Sequence, residues 1–560
     1  MTLTRQEALA ELTANGQPYE LTTESIRGCD YKVFVNAPQH LGALFSGAMS
    51  DLPFIVFQNE RLTFRDAYSQ AAAFAHLLQG EYQIQRGDRV AISMRNYPEW
   101  VTAFMGITSI AAIAVAMNAL WQTEEMVYGL EDSGARLLVC DQERLERLAP
   151  SRHTVGVKIL TVRPMEGSRE EEFHIRIAPY LGRKMPEVLV PADDAATIFY
   201  TSGSTGHPKG VVSTHRNILT ALLSWELDVQ AGARVSGVTA PPLPHQPATL
   251  LAVPLFHVTG SHAVFLQSYR AQRKLVCMYR WDPQEAAGLI ERERITSFTA
   301  PAAMTGDLVR VARETNRDLS SLQSVGGGGA PRAPEQVRQI DAAFTTALPN
   351  TGWGMTETNA IGTGIGGLDY LERPASSGRC SAVLELKVID DAGSTLQAGE
   401  RGELLIRGTS LFREYWNRPD VNATVFNDGW FRTGDVAYLD SEGYLFIVDR
   451  IKDLIIRGGE NIGCGTVEAA LIMHPEVLEA AVYAVPDERL GEEVGATIYL
   501  KTPVDEAGLR DFLGQHLAKF EVPRYMRFVH TPLPRTASGK ILKRELRDEA
   551  EKVLGLRAPR

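Results

Sequence analysis

Apolar residues recur every three to four positions across Thr63–Leu78, the spacing of an amphipathic helix, and Arg89-Val90-Ala91-Ile92-Ser93-Met94 then reads as a strand. This βα rhythm, which starts near residue 60, predicts a largely parallel sheet with helices on its faces. The pattern changes later. Glu403–Arg407 and Tyr444–Val448 look antiparallel, and the turn Asp440-Ser441-Glu442-Gly443 ahead of the second has hairpin chemistry. A fresh set of elements follows Asp449–Lys452: a helix over Thr466–Met473, strands at Ala480–Val485 and Ala496–Leu500, and a helix around Glu506–Leu517. The expected fold is therefore α/β, with a large mixed N-terminal domain of layered sheets and helices (1–449) and a small C-terminal α+β domain (450–560).

One stretch tests whether the chain crosses a membrane. Val101–Trp121 carries no charged side chain and is long enough to span a bilayer. It is rich in Ala, however, and includes Thr102, Gly106, Thr108, Ser109 and Asn118, which predicts a buried helix followed by a short strand, Ala112–Ala116.

Composition narrows the partners. A formal charge of −11 argues against nucleic acid, because neutralising phosphates takes clustered Lys and Arg. Cys29, Cys140, Cys277, Cys380 and Cys464 are scattered with no C-x-x-C pair, so neither a disulfide framework nor a zinc site is expected, and a reducing compartment fits. The N-terminus lacks the apolar core of a signal peptide, so the cytoplasm is the expected location, with at most peripheral membrane contact.

The richest chemistry lies at Tyr200-Thr201-Ser202-Gly203-Ser204-Thr205-Gly206-His207-Pro208-Lys209-Gly210. Glycines turn main-chain N–H groups toward an anion, the hydroxyls add neutral donors, and Lys209 adds a mobile charge. The preceding run Ala195–Tyr200 reads as a buried strand, so the loop falls where nucleotide loops of α/β folds lie. It is not a Walker loop, which would need Gly at Pro208 and Ser or Thr at Gly210. Gly362-x-Gly364-x-x-Gly367 matches a dinucleotide fingerprint by spacing alone, has neither the preceding strand nor the acidic partner, and reads as a glycine-rich loop.

Four more segments accompany the phosphate loop in order: Gly326-Gly327-Gly328-Gly329-Ala330-Pro331, Gly352-Trp353-Gly354-Met355-Thr356-Glu357-Thr358, Trp430–Asp435 and Asp449–Asn461, with Pro534–Lys540 near the C-terminus. Seen singly, Thr356-Glu357 is a helix start, Asp435 a turn aspartate and Lys540 a loop lysine. Together they resemble the adenylate-forming superfamily of acyl-CoA synthetases, adenylation domains and luciferases, nearest the fatty-acyl and aryl CoA ligases.

That resemblance implies ATP, Mg2+ and coenzyme A as reactants or cofactors, and a medium- or long-chain fatty or related hydrophobic carboxylic acid as substrate. Adenylation that feeds a carrier protein, or an aryl or steroid acid as substrate, is the alternative. It further implies that Thr201, Ser202, Gly203, Ser204, Thr205, Gly206 and Lys209 hold the β- and γ-phosphates. Thr356 would bond the α-phosphate, Glu357 would orient the metal, and Asp435 would take the ribose hydroxyls. Gly328, Ala330, Pro331, Trp353, Gly354 and Met355 would surround the nucleotide, with Trp353 standing where the family usually has Tyr. Arg450 would touch the nucleotide, Lys452 would be the hinge, and Lys540 would reach in from a mobile small domain. His257, Gly326, Gly327, Gly458 and Gly459 would line the acyl and coenzyme A channel, His257 as a wall and not a proton shuttle. Gly463-Cys464-Gly465 replaces a commoner Tyr-Pro sequence, and Cys464 is given no catalytic role. A homodimer is compatible with all of this.

Overall fold

In the computed structural model, the described residues are 3–167, 171–201, 208–237, 243–329, 332–536 and 539–555. Among them, the strands form an eight-stranded mixed sheet, a fourteen-stranded sheet, a five-stranded sheet and an N-terminal two-stranded ribbon. The fold is α/β, with a large N-terminal domain and a small C-terminal one.

The helix expected at Thr63–Leu78 runs Phe64–Gly80, because Thr63 caps it reciprocally with Asp66. Its apolar stripe faces the main core. The next strand, Arg89–Ser93, pairs in parallel with Ile113–Ala116, which in turn pairs with Ala195–Thr201. These strands are buried almost throughout, as parallel sheets covered on both faces must be.

The uncharged stretch 101–121 divides as its composition predicts. Pro98–Ser109 is a wholly buried helix and Ile113–Ala116 a buried strand, with Ala111 turning between them at φ +58°. Among the described residues no helix is long and apolar enough to cross a membrane.

The fourteen-stranded sheet changes character along its length. Its first half is parallel, built from Pro53–Phe57, Lys274–Cys277, Ala248–Leu251, Ser297–Ala300, Ser324–Gly327 and Leu348–Thr351. Its second half is antiparallel and includes Gly402–Gly408, Trp430–Leu439 and Tyr444–Arg450. The last two are joined by the expected turn, with Gly443 at φ +80°. Gly364 and Gly366 lie in the antiparallel strand Thr363–Gly366, and Gly367 starts a six-residue helix. The glycine-rich loop expected there is thus a strand, and an antiparallel one has no place in a dinucleotide βαβ unit.

After Arg450 the chain makes one short turn, Ile451–Asp453, and enters the five-stranded sheet at Ile455–Arg457. The small domain's two long strands, Val477–Asp487 and Gly491–Leu500, exceed the expected stretches because the hairpin ladder continues through Pro486 and Asp487. The helix expected to reach Leu517 stops at Leu513, ahead of Gly514. The N-terminal helix Arg5–Leu12 and the ribbon Leu21–Ile26/Cys29–Phe34 were not foreseen; their outward-facing polar residues hide any periodic signal. All five cysteines are free thiols.

Candidate active site

A continuous cleft of about 4550 Å³ runs between the two domains and into the large one. Thr201, Lys209, His257, Gly328, Trp353, Gly354, Met355, Thr356, Glu357, Asp435, Arg450, Lys452 and Lys540 all line it. Ser202, Gly203, Ser204, Thr205, Gly206, Ala330 and Pro331 lie outside the described residues. Gly458 and Gly459 form the exposed tip of the hairpin Arg457/Glu460, at φ +59° and +94°, and are not part of the cleft wall.

Thr356–Thr358 form one turn of tight helix, and the next two residues, Asn359 and Ala360, both take positive φ (56° and 66°). That conformation is costly for alanine. It is held by Ala360 N–H donating to Met355 O at 2.9 Å and by Asn359 Nδ2 donating to Ser410 O at 2.8 Å. Gly354 completes the arrangement, since a Cβ there would sit 2.5 Å from Ala360 O. The outcome is a fixed, buried Glu357.

Glu357 has a partner that the sequence did not disclose. Tyr415 O–H donates to Glu357 Oε1 at 2.7 Å, and the Tyr415 ring lies under Lys209 Nζ at 5.0 Å from its centroid. Burial, then the Glu357 charge, push the Tyr415 phenol far above its ordinary range, so it remains a donor. One tyrosine therefore ties the expected phosphate lysine to the expected metal carboxylate. The only sequence hint is an aromatic pair, Tyr415-Trp416, before Asn417-Arg418-Pro419. Tyr415→Phe should lower adenylation about tenfold, the worth of one hydrogen bond to a charged group; pyrophosphate release measures it.

Asp435 is buried with both oxygens engaged. Trp353 Nε1 donates to Oδ2 at 2.8 Å, and Arg450 Nε sits 2.6 Å from Oδ1. Burial raises its pKa, and Arg450 and the indole N–H oppose that rise. The indole that replaces the family's usual tyrosine thus acts here as a hydrogen-bond donor to the carboxylate.

Lys540 is presented by a tight loop of the small domain. Thr536 N–H donates to Lys540 O at 2.7 Å, Gly539 N–H to Thr536 O at 2.9 Å, and Arg535 Nη1 to Gly539 O at 2.8 Å. Gly539, at φ +82°, packs against Pro301 of the large domain, its Cβ position 3.3 Å from the proline ring. Lys540 lines the cleft while remaining exposed to solvent. Its pKa is lowered by partial desolvation first, then by Arg450 and Lys452, while Glu357 and Asp435 pull the other way.

His257 also feels Lys540. Burial, helped by that positive charge, pushes the imidazole down to about 4, so it is neutral at physiological pH. Lys452 lies exposed in the turn Ile451–Asp453 that joins the two sheets. Beside it, Gly463 fits under the last strand of the large sheet, with its Cβ position 3.1 Å from Val448 O, and Cys464 Sγ donates to Asp453 O at 3.2 Å. The buried Cys464 thiol is pushed up by its surroundings, which keeps it from being a thiolate. Among the described residues no group of His, Cys, Asp and Glu forms a metal cluster.

A cleft lined by Lys209, by the buried carboxylates Glu357 and Asp435 and by Lys540 of the small domain matches a known family. The family model for AMP-binding enzymes covers residues 46–416, and that for the AMP-binding enzyme C-terminal domain covers 466–540. The chain belongs to the AMP-binding enzyme family. A long-chain-fatty-acid–CoA ligase of Mycobacterium tuberculosis is 33% identical over 479 residues, which span 83% of this chain and 89% of that protein. A 2-succinylbenzoate–CoA ligase of Bacillus subtilis is 31% identical over 497 residues, 88% of this chain and 94% of that one. The crystal structure of an anthranilate CoA ligase in complex with anthranoyl-AMP superposes with a TM-score of 0.83 at 27% identity, covering 92% of this chain and 98% of that chain.

Proposed function

We propose that this enzyme is an ATP-dependent acid–CoA ligase working in two steps. A substrate carboxylate oxygen attacks the α-phosphorus of ATP, giving acyl-AMP and pyrophosphate. The thiol of coenzyme A, as it loses its proton, then attacks the acyl carbonyl and releases AMP. The observation that carries this reading is Lys540, delivered by the small domain into a cleft that already holds Glu357, Asp435 and Arg450.

The first step brings two anions together, so positive charge must be in place before they meet. Lys209 and Thr201, with the adjoining segment Ser202–Gly206, would hold the terminal phosphates, and Thr356 the α-phosphate. Lys540 would bridge the attacking carboxylate and the α-phosphate, neutralising charge as it builds in the transition state. Asp435 would accept from both ribose hydroxyls, oriented by Arg450 and Trp353. No general base is required, because the acid is already a carboxylate near neutrality, which agrees with a neutral His257 in the wall.

Glu357 suits a magnesium ion. Its Oε1 is committed to Tyr415, which leaves Oε2 as a hard oxygen donor at the cleft, and Mg2+ prefers one or two carboxylates plus substrate phosphates. When bound there, the ion would offset phosphate charge. Lys452, between the two sheets, would act as the hinge whose rotation withdraws Lys540 after the first step and carries the exposed Gly458–Gly459 tip toward an incoming pantetheine. Gly326, Gly327 and His257 would border the acyl and pantetheine path.

Mass spectrometry of products tests the proposal. With a suitable hydrophobic acid and ATP, acyl-AMP and pyrophosphate should form without coenzyme A, and thioester and AMP should appear only when it is added. ATP binding with no turnover across a broad acid panel would overturn it.

A further inference from the structure

The cleft wall next to the glycine-rich segment has an unexpected polarity. Strands Ala248–Leu251, Ser297–Ala300, Ser324–Gly327 and Leu348–Thr351 are parallel neighbours, with Thr249 paired to Ser297, Ser297 to Ser324, Thr299 to Gly326 and Gly326 to Asn350. Side chains alternate along a strand, so these residues share one face. The other face, through Leu250, Phe298 and Val325, is fully buried in the apolar core. The face turned to the cleft therefore carries hydroxyls and an amide where an alkyl chain would want leucines.

Part of this row satisfies itself. Thr249 Oγ1 and Ser297 Oγ are 2.8 Å apart, and Asn350 Nδ2 donates to Ser324 Oγ at 2.6 Å. That amide orientation leaves Asn350 Oδ1 facing inward, and neither it nor Thr299 Oγ1 has a hydrogen-bond partner among the described residues. Both oxygens lie 2.7 Å from the point where a Cβ on Gly326 would stand. They converge over a residue that has no side chain, and Thr299 and Asn350 line the cleft.

The depth of this spot is also fixed. Gly328, two residues on, would place a Cβ 3.7 Å from Thr259 Cγ2, beside His257 and the reaction centre. The Thr299–Gly326–Asn350 row lies one pleat repeat deeper, roughly 6–7 Å further from the strand ends where the chemistry is expected. Trp225, Val229, Ala263 and Met304 contribute apolar surface elsewhere in the same cleft.

Resting on the CoA-ligase reading above, we propose that the acid activated here carries a hydroxyl or amino group part-way along its acyl moiety, which donates to Asn350 Oδ1 and accepts from the Thr299 hydroxyl over Gly326. The substrate class is an amphipathic carboxylic acid, apolar on one side and hydroxylated or aminated on the other. A plain alkyl chain in this place would strip water from both groups and return nothing. Sites built to bond a substrate hydroxyl reject the analogue lacking it by large factors, so a preference of at least roughly 10²-fold is expected.

The test uses the full chain and acids matched except for one donor: cinnamic with 4-hydroxycinnamic acid, straight-chain acids with their mid-chain hydroxy forms, and alicyclic acids with their hydroxy forms. Acid-dependent pyrophosphate release should favour the hydroxylated member in at least one pair. Thr299→Val should cut that ratio about tenfold, Thr299→Ser should restore it, and Gly326→Ala, whose methyl would occupy the spot, should abolish it. A preference for the unsubstituted member in every pair, or a ratio indifferent to Thr299→Val, overturns the inference. Calorimetry with the matching acyl-sulfamoyl adenosines decides it independently of turnover: tighter binding of a hydroxylated analogue that weakens in Thr299→Val supports it, and equal binding throughout refutes it. Absence of turnover with every acid would count against the ligase reading alone.

Discussion

Replacing Lys540 with alanine should slow acyl-AMP formation by roughly 10²–10³, equivalent to about 2.7–4 kcal/mol of transition-state stabilisation, as for other preorganised charge donors. The expectation rests on where the small domain holds this ammonium. Gly539 packs on Pro301, and backbone hydrogen bonds from Thr536 N–H to Lys540 O and from Gly539 N–H to Thr536 O hold the main chain that presents the ammonium to the cleft lined by Arg450, Glu357 and Asp435. A fixed charge costs no reorganisation when the reaction occurs. Arginine at this position should rescue poorly, since a planar fork does not fit the place of a compact ammonium. Pyrophosphate release at saturating acid is the measurement.

Asp435→Ala should raise the KM for ATP and lower kcat/KM by roughly 10²–10³, because two charge-assisted hydrogen bonds to the ribose are each worth about 1.5–3 kcal/mol. The substitution would also leave Arg450 without its ion-pair partner and the Trp353 indole N–H without an acceptor. A purely structural role would weaken all nucleotides alike. If the carboxylate recognises the diol, selectivity for ATP over its 2′- and 3′-deoxy forms should instead collapse in the variant. A variant that keeps that selectivity would remove Asp435 from the ribose.

Much of this arrangement is written locally in the sequence. Thr63 and Asp66 mark a helix start by their spacing, Asp440–Gly443 marks a hairpin, and the absence of charge in 101–121 marks burial. The family motifs place Lys209, Glu357, Asp435, Arg450 and Lys540 in order, and the structure gathers all five around one cleft.

What stayed hidden depends on contacts between distant segments. Tyr415 meets Glu357 across 58 positions of chain, and Trp353 meets Asp435 across 82. Neither aromatic announces a polar role by its neighbours. The strained pair Asn359–Ala360 is invisible because nothing in alanine signals a positive φ. The hydroxyl row of Thr249, Ser297, Thr299 and Ser324 looks like ordinary strand composition until the register aligns it on one face. The antiparallel strand at Thr363–Gly366 was missed for a related reason: glycine-rich strands carry no alternating pattern.

On this reading one cleft serves two reactions, with Lys540 acting in the first and absent from the second. Rapid-quench single turnovers on Lys540→Ala test it most directly, once with acid and ATP and once with preformed acyl-AMP and coenzyme A. Acyl-AMP formation should fall by roughly 10²–10³ while thioester formation from preformed acyl-AMP stays within a few-fold of the unaltered enzyme. Equal losses in both half-reactions, or an unimpaired first step, would contradict it.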